Sequence, residues 1–214
     1  IIHHGVSSAF HPHIEPTDFG IRSRYRLPKR FALFVGDQHP RKNLSCVIEA
    51  VLSYREWFHD DLALVTVGKS LSSLLEKTPL SLRGNKVTEA ICSLEIASSP
   101  ALREGRGPRN DLVLGYVPTT HLPALYRAAT VTLFPSFYEG FGMPMIESMA
   151  SGTPVIASAA SCLPEIGRDA AIFVHPTRPN DWTLALHELL SNNELHATIK
   201  QRGLSQAAMY SWQK

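Results

Sequence analysis

Apolar and polar positions divide this chain into short continuous hydrophobic runs separated by stretches of helical periodicity. Phe31-Ala-Leu-Phe-Val-Gly36 is a short apolar run closed by glycine. Such a run reads as a strand buried on both faces of a parallel sheet. Leu44, Val47, Ile48, Val51 and Leu52 then recur at helical spacing through Tyr54. Leu62–Gly68 repeats the glycine-closed strand, and Leu112–Val117 is a third. Thr119 or Thr120 is placed to cap a helix carrying Leu122, Leu125, Tyr126 and Ala129, with Pro123 tolerated in its first turn. Val131–Ser136 is a fourth strand, and a helix through 145–150 follows it, ended by Gly152. Pro154–Ser158 and Ala171–Val174 are the fifth and sixth strands. Two terminal helices follow, Asp181–Leu190, capped by Asn180 or Asp181, and Glu194 to about Tyr210.

Strands alternating with helices predict an α/β, Rossmann-like, doubly wound parallel sheet of about six strands with right-handed crossovers. Residues 1–30 lack this periodicity and read as a linker. Residues 31–214 read as the domain. His3, His4, His11 and His13 lie in the linker with no cysteine or acidic cluster to complete a zinc site, so no metal is expected. Residues 69–110 are broken by Pro79, Gly84, Pro100, Gly105, Gly107 and Pro108, with short helices expected at 71–77 and 87–97.

Composition narrows the function classes. The 214 residues are 44% hydrophobic and 19% charged, an ordinary globular balance. A net charge of +2 gives no support to nucleic-acid binding. Cys46, Cys92 and Cys162 are widely spaced and odd in number, which fits a reducing compartment better than a disulfide framework. No apolar run approaches the roughly 18 residues that span a bilayer. The absence of an initiator Met and the uncapped tail Tyr210–Lys214 lead us to expect a piece of a longer protein.

Two loops carry the candidate chemistry. In an open α/β sheet, ligands bind outside the carboxyl ends of the strands. After the first strand, Asp37-Gln-His-Pro-Arg-Lys-Asn43 offers Arg41 and Lys42 at the start of a helix, where the dipole makes cations costly. Solvated loop charges are one reading; an anion site shared with helix amides is the other. A P-loop is excluded, because the Gly-Lys-Ser/Thr ending is missing. After the fourth strand, Glu139-Gly-Phe-Gly142 places a carboxylate beside two glycines, which allow close backbone approach. Glu147 follows one and a half turns into the next helix, on the order of 10 Å away. An ionised carboxylate accepts hydrogen bonds from two hydroxyls, which suits sugar and ribose diols. Cations on one loop and carboxylates on the other fit a nucleotide-diphosphate sugar.

At this point the chain resembles a known family. Glu139-Gly-Phe-Gly-Met-Pro-Met-Ile-Glu147 is similar to the Glu-x7-Glu motif of group 1 (family 4) retaining glycosyltransferases, which have two Rossmann-like domains in the GT-B architecture. Residues 1–12 resemble that family's linker into its C-terminal domain, and Phe34–Asn43 its first strand and phosphate loop. Ala150–Ser158 and Leu163–Ile166 fit as well. The resemblance implies that the chain is the C-terminal, donor-binding half of such an enzyme. It assigns Glu139, with Gly140, Phe141 and Gly142, to the donor sugar. Gly36, Arg41, Lys42 and Met143 go to the diphosphate, Glu147 to the ribose, and Tyr116 and Val117 to the base. Glu139 and Lys42 are the expected catalytic groups. No metal or cofactor is implied, the substrate being a GDP- or UDP-linked sugar, with GDP-mannose first because the Pro-Arg-Lys-Asn loop is similar to that of bacterial mannosyltransferases.

The resemblance also implies retention of configuration, and a cytoplasmic location, at the inner membrane face only if the missing half supplies the contact. Two departures stand out. Asp37 follows Gly36, where some members carry Arg, and residues 69–110 are long for the family. The N-terminal acceptor domain is missing, so the isolated chain is expected to bind donor without transferring sugar. Other readings are a sugar-nucleotide epimerase, another GT-B-like enzyme, or a non-catalytic nucleotide-binding module.

Overall fold

The computed structural model describes residues 5–37, 39–68 and 111–210. The helices expected at 71–77 and 87–97 lie outside those residues. Six strands, β1 (Phe31–Val35), β2 (Ala63–Val67), β3 (Leu112–Val113), β4 (Val131–Phe134), β5 (Val155–Ser158) and β6 (Ile172–Val174), form one sheet in the order β3-β2-β1-β4-β5-β6. Every pairing is parallel. This is the doubly wound order, in which the chain winds outward in both directions from the centre.

The central strand shows why its run is continuously apolar. Phe31 and Leu33 enter one core, while Ala32 and Phe34 enter the other. The second core is closed by α2 (Leu44–Phe58) and, packed against it, a helix whose Trp182, Leu186 and Leu189 are fully buried. The first core is closed by helices bearing Leu125 and Tyr126, Met145 and Ile146, and Ala207. In chain order the helices described are α1 (Pro16–Arg24), α2, α3 (Leu122–Ala128), α4 (Met143–Ala150), α5 (Leu163–Gly167), α6 (Pro179–Ser191) and α7 (Asn193–Ala207). None is long and apolar enough to cross a membrane.

Five differences from the expected elements stand out, the first being that neither Thr119 nor Thr120 caps the helix starting at Leu122: both lie in a 3-10 turn, Thr119–His121, ahead of it, and His121 takes the cap position. The third strand was expected through Val117. It keeps ladder contacts at Leu114, whose N–H donates to Thr66 O at 2.9 Å, and at Gly115, whose O accepts from Gly68 N at 2.8 Å, and beyond Gly115, at φ +62°, it leaves the sheet. α6 is capped by neither Asn180 nor Asp181. It starts at Pro179, whose fixed φ and missing N–H suit a first helical position, so Asp181 falls inside the first turn. α5 was not expected at all. Finally, α1 lies within the segment read as a linker. Asp18 there accepts two hydrogen bonds of 2.7 Å from Arg127 of α3, and these hold its carboxyl below the usual range against the opposing effect of burial. Phe10 and Ile21 from the same segment are buried in the first core. The segment's His11 and His13 rings stand 5.7 Å apart, and His11 Nε2 lies 3.1 Å from Glu15. No group of three or more His, Cys, Asp or Glu is placed to hold a metal among the described residues.

Candidate functional site

The strand order reverses between β1 and β4, and the chain leaves both at the carboxyl edge. Such a switch point leaves a crevice, and the loops beside it here are 36–43 and 135–142. Arg41 and Lys42 are held on a 3-10 turn, Pro40–Lys42, that precedes α2. His39 Nδ1 accepts from Arg41 N at 3.2 Å, and Asn43 stops the turn in the left-handed conformation at φ 54°. Lys42 is only 8% exposed, and its Nζ donates to Glu139 Oε1 at 2.7 Å. Arg41 Nη1 reaches Glu139 Oε2 at 3.2 Å. Lys42 is therefore no solvated loop charge, whereas Arg41 keeps 40% of its side chain exposed. They share one buried carboxylate across the switch point. Lys42 Nζ also lies 5.3 Å from the Phe134 ring centroid.

Sequence reasoning missed the groups that hold this cluster. Asn43 Nδ2 donates to Pro135 O at 3.2 Å and to Pro176 O at 2.7 Å, joining the loops after β1, β4 and β6. Phe137 N donates to Arg41 O at 2.8 Å. From the loop after β5, Ser161 Oγ donates to Glu139 O at 2.9 Å, and Cys162 Sγ lies 3.3 Å from the same oxygen. Ser158 Oγ donates to Ser136 O. An Asn just ahead of a helical run is a visible turn signal for Asn43. No local signal marks Ser161 or Cys162.

The next stretch turns sharply. Gly142 caps α4 at φ +92°, and a Cβ built there would lie 2.6 Å from Leu163 Cδ2. Gly140 is different: nothing lies within 4 Å of a Cβ built there, so its face is open. Phe141 meets Tyr210 edge to face at 5.4 Å, so its ring packs against the core. Met143 is the half-buried first residue of α4.

Glu147, one turn further along α4, is half-buried and has its own partner. Tyr126 OH donates to Glu147 Oε2 at 3.1 Å. Burial pushes the Glu147 carboxyl up, and the Tyr126 hydrogen bond opposes the shift. Burial pushes the Tyr126 hydroxyl well above its ordinary range. Gly36 N already donates to Val67 O at 2.9 Å, extending the β1–β2 ladder. Tyr116 is 80% exposed beyond β3, and Val117 beside it is buried. Arg41, Lys42 and Glu139 are thus in direct contact, and Gly140–Met143 continues from them into the helix that bears Glu147. Tyr116 and Val117 follow β3, two places from β1 and three from β4 in the sheet.

A doubly wound parallel sheet, with two cations and a buried carboxylate meeting at its switch point, defines an α/β domain of the Rossmann-like class. The family match is narrower: residues 103–206 match the family model of glycosyl transferases group 1. It is 30% identical over 97% of its length to O-antigen chain mannosyltransferase B of Escherichia coli, and spans 49% of that relative. The chain therefore spans about half the length of this curated relative. Among solved structures, the C-terminal domain of a glycosyl transferase group 1 family protein, LpcC, from Francisella tularensis matches with TM-score 0.70 at 24% identity, covering 97% of this chain and 100% of that one. Anabaena Alr3699/HepE, solved in complex with UDP and glucose, matches with TM-score 0.72 at 17% identity, covering 96% of this chain and 51% of that one. At these identities the structural matches establish the fold, half of a GT-B arrangement.

Proposed function

We propose that this chain is the donor-binding half of a retaining glycosyltransferase that moves a hexose, mannose first among candidates, from a nucleotide-diphosphate sugar to a glycan or lipid acceptor. The observation that carries the reading is the cluster of Lys42 and Arg41 around Glu139 at the switch point. Cations there meet the diphosphate, and the charge that develops on the leaving diphosphate is what they stabilise. The amides around Gly140–Met143, at the positive end of the α4 dipole, share that task. Glu139 accepts from donor-sugar hydroxyls, and Glu147 from the ribose. The loop after β3, with Tyr116 and Val117, meets the base. Fixed cations and a helix dipole supply the charge, so the proposed reaction calls for no metal or organic cofactor.

The mannosyltransferase name of the Escherichia coli relative supports mannose, and the Anabaena protein, solved with UDP and glucose, supports a nucleotide-diphosphate ligand. An acceptor-binding domain completes the cleft, so the 214 residues alone bind donor and transfer no sugar. Calorimetric titration with GDP-mannose, UDP-glucose and ADP-glucose tests the reading. Binding of one or more is expected, and a folded chain that binds none overturns it.

The two glycines separate folding from binding. Gly142→Ala, at φ +92° and pressed on Leu163, is expected to cost about 1–3 kcal/mol of stability. Gly140→Ala meets open space, so its thermal midpoint stays close to that of the parent while the added methyl weakens donor binding. Parallel melts and titrations check both. A destabilised Gly140→Ala with unchanged affinity would remove Gly140 from the donor site.

A further inference from the structure

We infer that Tyr126 is the positioning residue for ribose recognition, orienting the Glu147 carboxylate so that one oxygen stays free to accept from the diol. The inference rests on the donor-site reading above and adds a residue to it.

The Tyr126 side chain is fully buried, and its hydroxyl donates to a single carboxylate oxygen, Oε2 of Glu147, at 3.1 Å. A buried hydroxyl left without a partner is costly, so this bond is strongly preferred. Its donor is also held in place. The backbone oxygen of Tyr126 accepts from Thr153 Oγ1 at 2.6 Å and from Ala129 N at 3.0 Å. The ring meets Phe10 edge-on, with centroids 5.9 Å apart. Three segments thus fix the donor: α3 itself, the turn after α4, and the segment preceding α1.

Two effects then act on Glu147. The bond selects one orientation of a side chain that would otherwise sample several. It also favours the ionised carboxylate at a position where burial favours the neutral form. An ionised carboxylate accepts from two hydroxyls, whereas a protonated one gives up part of that capacity. Tyr126 touches no substrate in this account. It acts through Glu147.

The test is a double-mutant cycle of Tyr126→Phe and Glu147→Gln. Each variant is titrated with a ribonucleoside diphosphate and its 2′,3′-dideoxy counterpart. The parent should prefer the ribonucleotide by about tenfold, which is one good polar contact (~1.4 kcal/mol). Tyr126→Phe keeps the ring and its packing. It should cut that preference severalfold while leaving the dideoxy affinity within about twofold. In the Glu147→Gln background it should change neither.

A folded Tyr126→Phe with the full preference for ribose overturns the proposal and leaves the donor reading standing. Equal weakening of both nucleotides in both backgrounds also overturns it, because that is the signature of a merely structural residue. A parent that binds nucleotide without preferring ribose removes Glu147 from the ribose, and Tyr126 with it. A parent that binds neither nucleotide overturns the donor reading itself. If Tyr126→Phe alone is too unstable to titrate, comparing the double variant with Glu147→Gln still decides whether the tyrosine acts through the carboxylate.

Discussion

Lys42→Ala is expected to weaken binding of nucleoside diphosphates by about 30-fold or more while leaving nucleoside binding within about twofold. The magnitude follows from burial. Truncating one partner of a buried, hydrogen-bonded charge pair costs roughly 2–5 kcal/mol, and each 1.4 kcal/mol is tenfold in affinity. In the proposed complex Lys42 forms such a pair with the diphosphate, its Nζ being held at the site 2.7 Å from Glu139. Arg41 cannot replace it, being the more exposed and more distant cation at 3.2 Å. Nor should Lys42→Arg restore binding. The buried Nζ acts as a point charge 2.7 Å from Glu139, and a planar guanidinium on a longer stem does not reproduce that placement. Titration of each variant with a nucleoside diphosphate and the matching nucleoside checks this. Equal losses for the two ligands would show that Lys42 serves the fold and not the phosphates.

The second large effect is on stability. Asn43→Ala should destabilise the domain by about 2–4 kcal/mol, because it orphans two buried carbonyl oxygens at about 1–3 kcal/mol each. Those oxygens belong to Pro135 and Pro176. For a chain of this size the thermal midpoint falls by roughly 2–4 °C per kcal/mol, so a drop of about 5–15 °C is expected. Asn43→Gly separates the causes. It loses the same two bonds but keeps the left-handed φ of 54° without strain, and should melt a few degrees above the alanine variant. Indistinguishable melts for Asn43→Ala and the parent would refute the role assigned to this side chain.

The sheet was legible because its strands are buried on both faces, and such strands announce themselves as unbroken apolar runs. β1, β2, β4 and β5 fall where those runs fall. The run at Leu112–Val117 was misleading in length, since hydrophobicity does not report that Gly115 adopts a positive φ. α1 was hidden for the opposite reason. Its only buried residue is Ile21, while Phe19 is 70% exposed, so the helix has almost no apolar stripe to read.

The site divides in the same way. Arg41, Lys42, Glu139 and Glu147 sit in short motifs whose chemistry can be argued from residue type and spacing. Their mutual contacts could not be read, because Lys42 and Glu139 are 97 residues apart and meet only through the pairing of β1 with β4. Ser161 and Cys162 were invisible, since a hydroxyl and a thiol become meaningful only once the loop after β5 lies against Glu139.

The loops after β1, β4, β5 and β6 are tied to one another by side chains that make no claim on a ligand. Ordering a loop or a long side chain during association typically costs about 0.5–1.5 kcal/mol for each immobilised side chain. Here that entropy is surrendered during folding, so this wall of the cleft is preorganised. On the proposed donor reading, association with it resembles the docking of rigid bodies, and its thermodynamic signature should be set by desolvation and contact instead of by a disorder-to-order transition.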